Sequence, residues 1–548
     1  MNATQWNIAS TLETLAEEIP EVAAIRVPWK KQSLSFMDLH RDSNRIASGL
    51  AKMEIQPGQR ILVLVPFSID FITISFALFK VGAVPVLIDP GLGRKNMLQC
   101  IAQAAPDIMV TVMRGNIAKL LFPKYFKSVQ YSITVGAIGL GSRITLKTVK
   151  KRGAENFKMA IMGPDDPAAI LFTSGSTGPS KGVLYTHKMF VKQVELLREH
   201  FQIKKGEIDL PTFPLFGLFG ISMGMTSILP KMDFTRPAQV DPQNIIAPVT
   251  EFSISNSFGS PALWNTVSQY CLSRKIKLPA LKRILIAGAP VSGNLLQNIQ
   301  GIVGPDCKVF TPYGATEALP VASIEKNQVL LHTWEQSQKG YGTCVGHPVP
   351  GMEIKIINIT DEPLPSWQDD LELPLGQVGE IIVRGEWVTR QYFNREDATH
   401  LAKIKDGDTF WHRMGDVGRL DSEGQLWFYG RKNQRVVTDQ ETLFTIPCEA
   451  IFNGVSGVKR SALVGLGTKG NQCPAIIIEP EDGIVVGSKA EREQFRKQLL
   501  QAGAEYEHTQ SISKILFHPD FPVDVRHNAK IFREQLALWA AKDPQVNE

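Results

Sequence analysis

The chain has 548 residues, 43% of them apolar and 21% charged, and its 59 basic and 54 acidic residues leave a net charge of +5. That length exceeds one ordinary core and predicts two or three domains of a soluble globular protein. The near balance of charge, with one short basic run at 149–152 and no aromatic residues interleaved, excludes nucleic acid as an expected partner.

Six cysteines are scattered without CxxC spacing, so neither a zinc site nor a disulfide framework is expected, and a cytoplasmic location suits them. The first residues carry acids and no apolar run, which predicts no secretion signal. Short apolar runs then alternate with amphipathic stretches through about residue 350. "RILVLV" (60–65), a helix-like "FITISFALFKVG" and "AVPVLID" (83–89) come first, followed by "DIMVTV", "AAILFT", "FSISNSF", "RILIAG" and "KVFTPYG". This alternation predicts α/β layering. Leu210 to Pro230 holds 21 residues without a charge, long enough to span a bilayer. Its three prolines and three glycines argue instead for a buried loop and helix, lining an apolar cavity or filling the core. From about Gly340 the texture turns β-rich, with a hairpin predicted in "VGRLDSEGQLWFYGR". The last 120 or so residues read as a small α+β unit.

Between the apolar run 168–172 and a helix beginning near Lys188 lies "TSGSTGPSKG". Thr173, Ser174, Ser176 and Thr177 supply hydroxyls, Gly175 and Gly178 permit sharp turns, and Lys181 adds a fixed positive charge. Strand, donor-rich loop and helix in that order hold phosphate. Four weaker constellations follow it. Gly288, Ala289 and Pro290 turn after a strand as one wall of a pocket. "TPYGATE" offers the ring of Tyr313 for stacking, Gly314, the hydroxyl of Thr316, and the carboxylate of Glu317 for a hard cation such as magnesium. Asp416 follows a glycine, where a carboxylate can accept from ribose hydroxyls. Lys530 lies in "VDVRHNAKI" near the C-terminus.

Together, in this order, the motifs resemble the adenylate-forming superfamily: acyl-CoA synthetases, luciferases and peptide-synthetase adenylation domains. The resemblance implies an α/β adenylate-forming fold. A large N-terminal domain over 1–430, with two α/β subdomains and one β subdomain, would carry a mobile α+β domain over 431–548. It also implies ATP and Mg2+. Residues 173–178 would then grip phosphate, Asp416 would contact ribose, Arg431 would be the second nucleotide contact at the hinge, and Lys530 the C-terminal catalytic lysine beside Thr316, Glu317 and Lys181.

Longer stretches, among them "DLPTFPLFGLFG", "GTCVGHPVPGMEIKII", "VTRQYFNREDATHLAKI" and "WHRMGDVGRLD", resemble the bacterial olefin β-lactone synthetases. That resemblance implies adenylation of a 2-alkyl-3-hydroxy fatty acid and closure of a β-lactone by its own hydroxyl. It also implies partner enzymes of hydrocarbon biosynthesis. Phe213, Phe216 and Phe219 are expected to line space for alkyl arms, with Gly217 leaving volume open for the branch. Asn433 stands where thioester-forming relatives often carry an Asp, and no glycine occurs between Gly430 and Gly454, so coenzyme A is not expected as acceptor. His412, His527 and the AMP phosphate are all open as the base for the hydroxyl. The nearest alternative is a long-chain fatty acyl-CoA synthetase or acyl-AMP ligase. A non-catalytic nucleotide-binding scaffold is opposed by the intact Lys181, Glu317, Asp416 and Lys530.

Overall fold

The apolar runs that precede helical stretches become buried parallel strands, as their lack of alternation requires. In the computed structural model, which describes residues 6–136, 144–172, 180–481, 489–524 and 531–542, they build two large sheets. The first has seven strands in the order Ile144–Thr145, Tyr131–Thr134, Ile108–Thr111, Arg60–Leu64, Val84–Ile88, Pro167–Phe172, Gly182–Thr186. All pairs are parallel except the last. The second sheet has 14 strands. Its parallel part runs through Ile208–Pro211, Asn256–Gly259, Arg283–Ile286 and Lys308–Ala315. An antiparallel hairpin, Lys308–Ala315 with Ala318–Glu325, then carries it into the β-rich part, where Thr409–Leu420 pairs with Leu426–Arg431.

Helices Ile69–Lys80 and His187–His200 lie between the two sheets. Each is started by a hydroxyl cap, Ser68 accepting from the Phe71 amide and Thr186 from that of Met189. Phe79 and Phe190 meet edge-on at 6.1 Å, and Phe190 meets Phe219 at 6.0 Å, so one apolar core joins both sheets. Lys80 is sealed in this layer at 1% exposure. Its Nζ donates to the His40 carbonyl, Ser43 Oγ and Asn44 Oδ1 at 3.0, 2.8 and 2.7 Å, and burial pulls its pKa down to about 7.

The charge-free segment 210–230 contains the buried helix expected and adds strands to it. It holds the end of strand Ile208–Pro211, helix Pro214–Ser222 and strand Thr226–Ile228, and the two strands pair in parallel. Charge is missing because the strands and most of the helix are interior, not because a bilayer demands it. Among the described residues no helix is long and apolar enough to cross a membrane.

The C-terminal part forms its own three-stranded sheet, Val458–Leu466, Cys473–Pro480 and Lys514–Phe517, around separate cores. Where the chain passes into it, Lys432 donates to the fully buried Glu380, which also holds Arg413 at 2.7 Å. Arg435 pairs with Asp361 at 2.9 Å, and Lys469 reaches the same carboxylate.

Candidate active site

The hairpin of Lys308–Ala315 and Ala318–Glu325 organises the site because its two-residue turn is Thr316–Glu317. The register slips between Tyr313 and Ala315, which is a β-bulge. Gly314 fits there since a Cβ would meet the Ala318 carbonyl oxygen at 2.5 Å. The bulge re-aims Tyr313, whose hydroxyl donates to Asp416 Oδ2 at 2.6 Å. Arg431 faces Oδ1 of the same carboxylate at 2.9 Å, directly across the ladder. Burial pushes the Asp416 carboxyl above its usual range while the Arg431 charge pulls it back, and the Asp416 charge raises the Arg431 guanidinium in turn. Phe428 lies 5.8 Å from the Tyr313 ring.

On the far side of the turn, Glu317 Oε1 accepts from the Tyr392 hydroxyl at 2.7 Å. Lys181 Nζ sits 4.8 Å from the centre of the Tyr392 ring. Burial lowers the Lys181 pKa, and the Glu317 carboxylate opposes that shift. Tyr392 bridges to Val183, and the Phe393 amide donates to the Gly182 carbonyl at 2.7 Å, so Lys181 and Tyr392 are held side by side. The turn itself is fixed twice. Tyr185 donates to the Thr316 carbonyl, and the Thr389 amide donates to that of Glu317 at 2.9 Å.

Lys403, absent from the sequence reading, and His412, named there as a candidate base, complete this side. Lys403 donates to the Thr389 carbonyl, and burial pulls its pKa to about 7 against the Glu317 charge. Across the ladder from it stands His412, 2% exposed, whose Nδ1–H donates to the Ala402 carbonyl at 3.2 Å. Burial, and then the charges of Lys403 and Lys181, hold that imidazole neutral, well below its ordinary pKa. Tyr392 and Lys403 had no local signal; only the folded chain brings them to Glu317. Gly288, Ala289 and Pro290 follow strand Arg283–Ile286, whose neighbour is the strand carrying Tyr313, and Gly288 takes a φ of +100°.

Among the described residues no group of three His, Cys, Asp or Glu side chains could hold a metal ion. The single carboxylate of Glu317 beside Lys181 fits a magnesium ion whose other ligands are phosphate oxygens and water. Thr173, Ser174, Gly175, Ser176, Thr177, Gly178, His527 and Lys530 lie outside the described residues.

The acyl side corrects one expectation. Gly217 does not leave open volume: a Cβ there would fall on the ring of Phe67, which comes from the loop after strand Arg60–Leu64. That ring packs edge-on to Phe234 at 5.1 Å and Phe71 at 5.9 Å. Phe213 and Phe216 are half-buried, and Phe216 stacks on Phe258. Phe219 is 4% exposed and belongs to the core between the sheets.

Residues 12–393 match the family described as AMP-binding enzyme. The chain belongs to that family. As an AMP-binding enzyme it is an ATP-using, AMP-forming ligase, and its mixed α/β body with a smaller C-terminal part has the expected fold. It is 43% identical to the olefin beta-lactone synthetase of Xanthomonas campestris pv. campestris and 42% identical to that of Stenotrophomonas maltophilia. Both matches cover 98% of this chain and 98% of the relative. Among solved structures, ATP-bound MatB from Rhodopseudomonas palustris superposes with a TM-score of 0.79 at 20% identity, covering 98% of this chain and 99% of that one. The AMP complex of O-succinylbenzoate coenzyme A synthetase from Bacillus subtilis gives 0.75 at 21% identity, covering 97% and 98%. At those identities the likeness is one of fold.

Proposed function

We propose that this enzyme adenylates the carboxylate of a 2-alkyl-3-hydroxy long-chain fatty acid and closes it to a β-lactone. The end-to-end likeness to two olefin beta-lactone synthetases carries the reading.

The residues give it a physical basis. A carboxylate must attack the α-phosphorus of ATP, and two anions repel. Lys181 beside Glu317, the backbone donors of 174–178 and a magnesium ion held through Glu317 would spread the phosphate charge. Lys530 would bridge the attacking carboxylate and the α-phosphate. Asp416 would accept the ribose hydroxyls once Tyr313 releases it, with Tyr313 against the base and Arg431 completing the nucleotide contact. Gly288 to Pro290 would wall that pocket.

In the second step the substrate's own 3-hydroxyl attacks the acyl carbon. The C–O bond to AMP breaks, the lactone C–O bond forms, and the hydroxyl proton leaves to a base. The nucleophile is tethered, so its effective concentration offsets part of the ring strain. His412, buried and neutral with its Nδ1 proton committed to Ala402, would offer only Nε2 as an acceptor.

The hinge agrees with an acceptor other than coenzyme A. In place of a glycine-rich approach, Val436–Val437 and Thr442–Leu443 form a small hairpin with Asp439, Gln440 and Glu441 exposed at its tip. Side chains there would crowd a pantetheine arm. We place the unit that moves at 431–548. The test of the first step is isotopic: an acid labelled with 18O in its carboxylate should deliver one label to AMP. Unlabelled AMP would overturn the reading.

A further inference from the structure

Helix Met113–Leu121 is turned inside out. Its apolar residues Met113, Ile117, Leu120 and Leu121 recur at helical spacing, yet they are 45, 38, 59 and 67% exposed. The face it buries is Gly115 and Asn116. A helix of a soluble domain points such a stripe at the core, so this one is built to be covered by something else.

Charge says what covers it. From Pro90 to Ala154 the chain has eleven basic residues and one acidic residue, Asp107. That carboxylate is already engaged by Arg60. Around the stripe, Arg94, Lys95, Arg114, Lys124 and Lys127 are all exposed. The Arg94 guanidinium lies 5.7 Å from the centre of the Phe122 ring and the Lys124 ammonium 4.9 Å from that of Tyr125, so positive charge is held against the aromatic rim of the stripe. Beside the stripe a hollow of about 280 Å³ is lined by Asn116, Lys119, Leu120, Pro123 and Phe126.

We infer that helix Met113–Leu121 docks the enzyme on an anionic phospholipid surface, with its aliphatic stripe among the acyl chains and the surrounding lysines and arginines at the headgroups. An exposed apolar stripe ringed by basic residues is the pattern of an interfacial helix, and neither part alone would commit to a bilayer. A second copy of this chain docking through the same segment would need carboxylates opposite these lysines, and residues 90–154 hold only Asp107, which Arg60 already engages.

The placement also suits a lipid-handling enzyme. Strand Ile108–Thr111, which leads into the helix, pairs with strand Arg60–Leu64, which leads to Phe67; Leu64 stands opposite Thr111. The docking helix and the loop that carries Phe67 to Gly217 therefore leave the same end of the same sheet. The inference does not depend on which acid is adenylated.

The experiment is flotation of the full chain with vesicles of phosphatidylcholine alone or mixed with phosphatidylglycerol, at low and high salt. The wild type is expected to float with the mixed vesicles at low salt and to be released by high salt. Leu120→Glu with Leu121→Glu, and separately Lys124→Glu with Lys127→Glu, should each weaken binding by at least about tenfold. All four sites are exposed, so melting temperatures should stay within a few degrees of wild type. The inference is overturned if the wild type stays with the unbound protein, or if both variants float like wild type. It is equally overturned if the leucine variant only breaks up a wild-type oligomer that ignores vesicles.

Discussion

Tyr313 and Asp416 are joined by a 2.6 Å hydrogen bond, so one oxygen of the carboxylate proposed for ribose is already engaged by the ring proposed for the base. Ribose hydroxyls would compete with the tyrosine for Oδ2 and add to Oδ1. Tyr313→Phe keeps the ring and removes the competing hydroxyl, so KM for ATP should be unchanged or lower by a few fold. Asp416→Ala removes two hydrogen bonds to a charged acceptor and should lower kcat/KM for ATP by roughly a hundredfold or more. Steady-state kinetics with varied ATP checks both. A large loss in Tyr313→Phe would show that the hydroxyl serves the nucleotide directly.

The Tyr392–Glu317 contact separates a ligand from its support. Glu317→Gln should reduce adenylate formation by on the order of 10²–10³-fold and raise the magnesium needed for half-maximal rate. Tyr392→Phe removes one neutral donor and should cost under about tenfold with little change in the magnesium requirement. Pyrophosphate release against magnesium concentration distinguishes them. Equal losses in both variants would mean that Glu317 acts through Tyr392 rather than on the metal.

The strands and helices of the body were legible because burial imposes a period. "RILVLV" and "AAILFT" have the unbroken apolar character of strands covered on both faces, and the helix after Lys188 repeats its apolar residues at helical spacing. Asp416, Arg431 and Glu317 were visible as motifs, but their geometry was not. Asp416 and Arg431 meet only through the register of two strands, and Tyr392 reaches Glu317 across 75 residues. Gly217 shows the limit most sharply. A glycine reads as an opening, and whether a neighbour fills it is decided by a loop far upstream. The exposed stripe at Met113–Leu121 has the same pattern as a core-facing helix, since periodicity does not say which side is solvent.

Phe67 and Gly217 should behave as one unit. A helical glycine replaced by alanine ordinarily gains about 1 kcal/mol from backbone entropy. Here the added methyl meets the Phe67 ring, and overpacking costs about 1–3 kcal/mol. Gly217→Ala is therefore expected to lower stability in the wild type, and to cost nothing or to stabilise in a chain that already carries Phe67→Ala, which is itself destabilising because it removes the ring from Phe71 and Phe234. Denaturant unfolding of the two single variants and the double variant gives the coupling. Additive effects would show that the ring moves away at no cost.

Lys80 should give the stability a pH dependence. Its pKa falls to about 7 in the folded chain while the unfolded side chain keeps its ordinary value of 10.5. The folded state therefore holds fewer protons between those limits, and stability rises with pH there, by up to about 1.4 kcal/mol per unit. Below pH 7 both states are charged and the contribution is flat. Lys80→Met removes this titration, so the wild type should gain on the variant as pH rises from 7 to 10. A constant difference across that range would show that the three acceptors around Nζ keep the lysine charged throughout.

The measurement closest to the central claim is product analysis with ATP, magnesium and a 2-alkyl-3-hydroxy acid, with and without coenzyme A. The account predicts a β-lactone, AMP and pyrophosphate in equal amounts, unaffected by the thiol. A thioester formed only when coenzyme A is added, with no lactone in either tube, would contradict it.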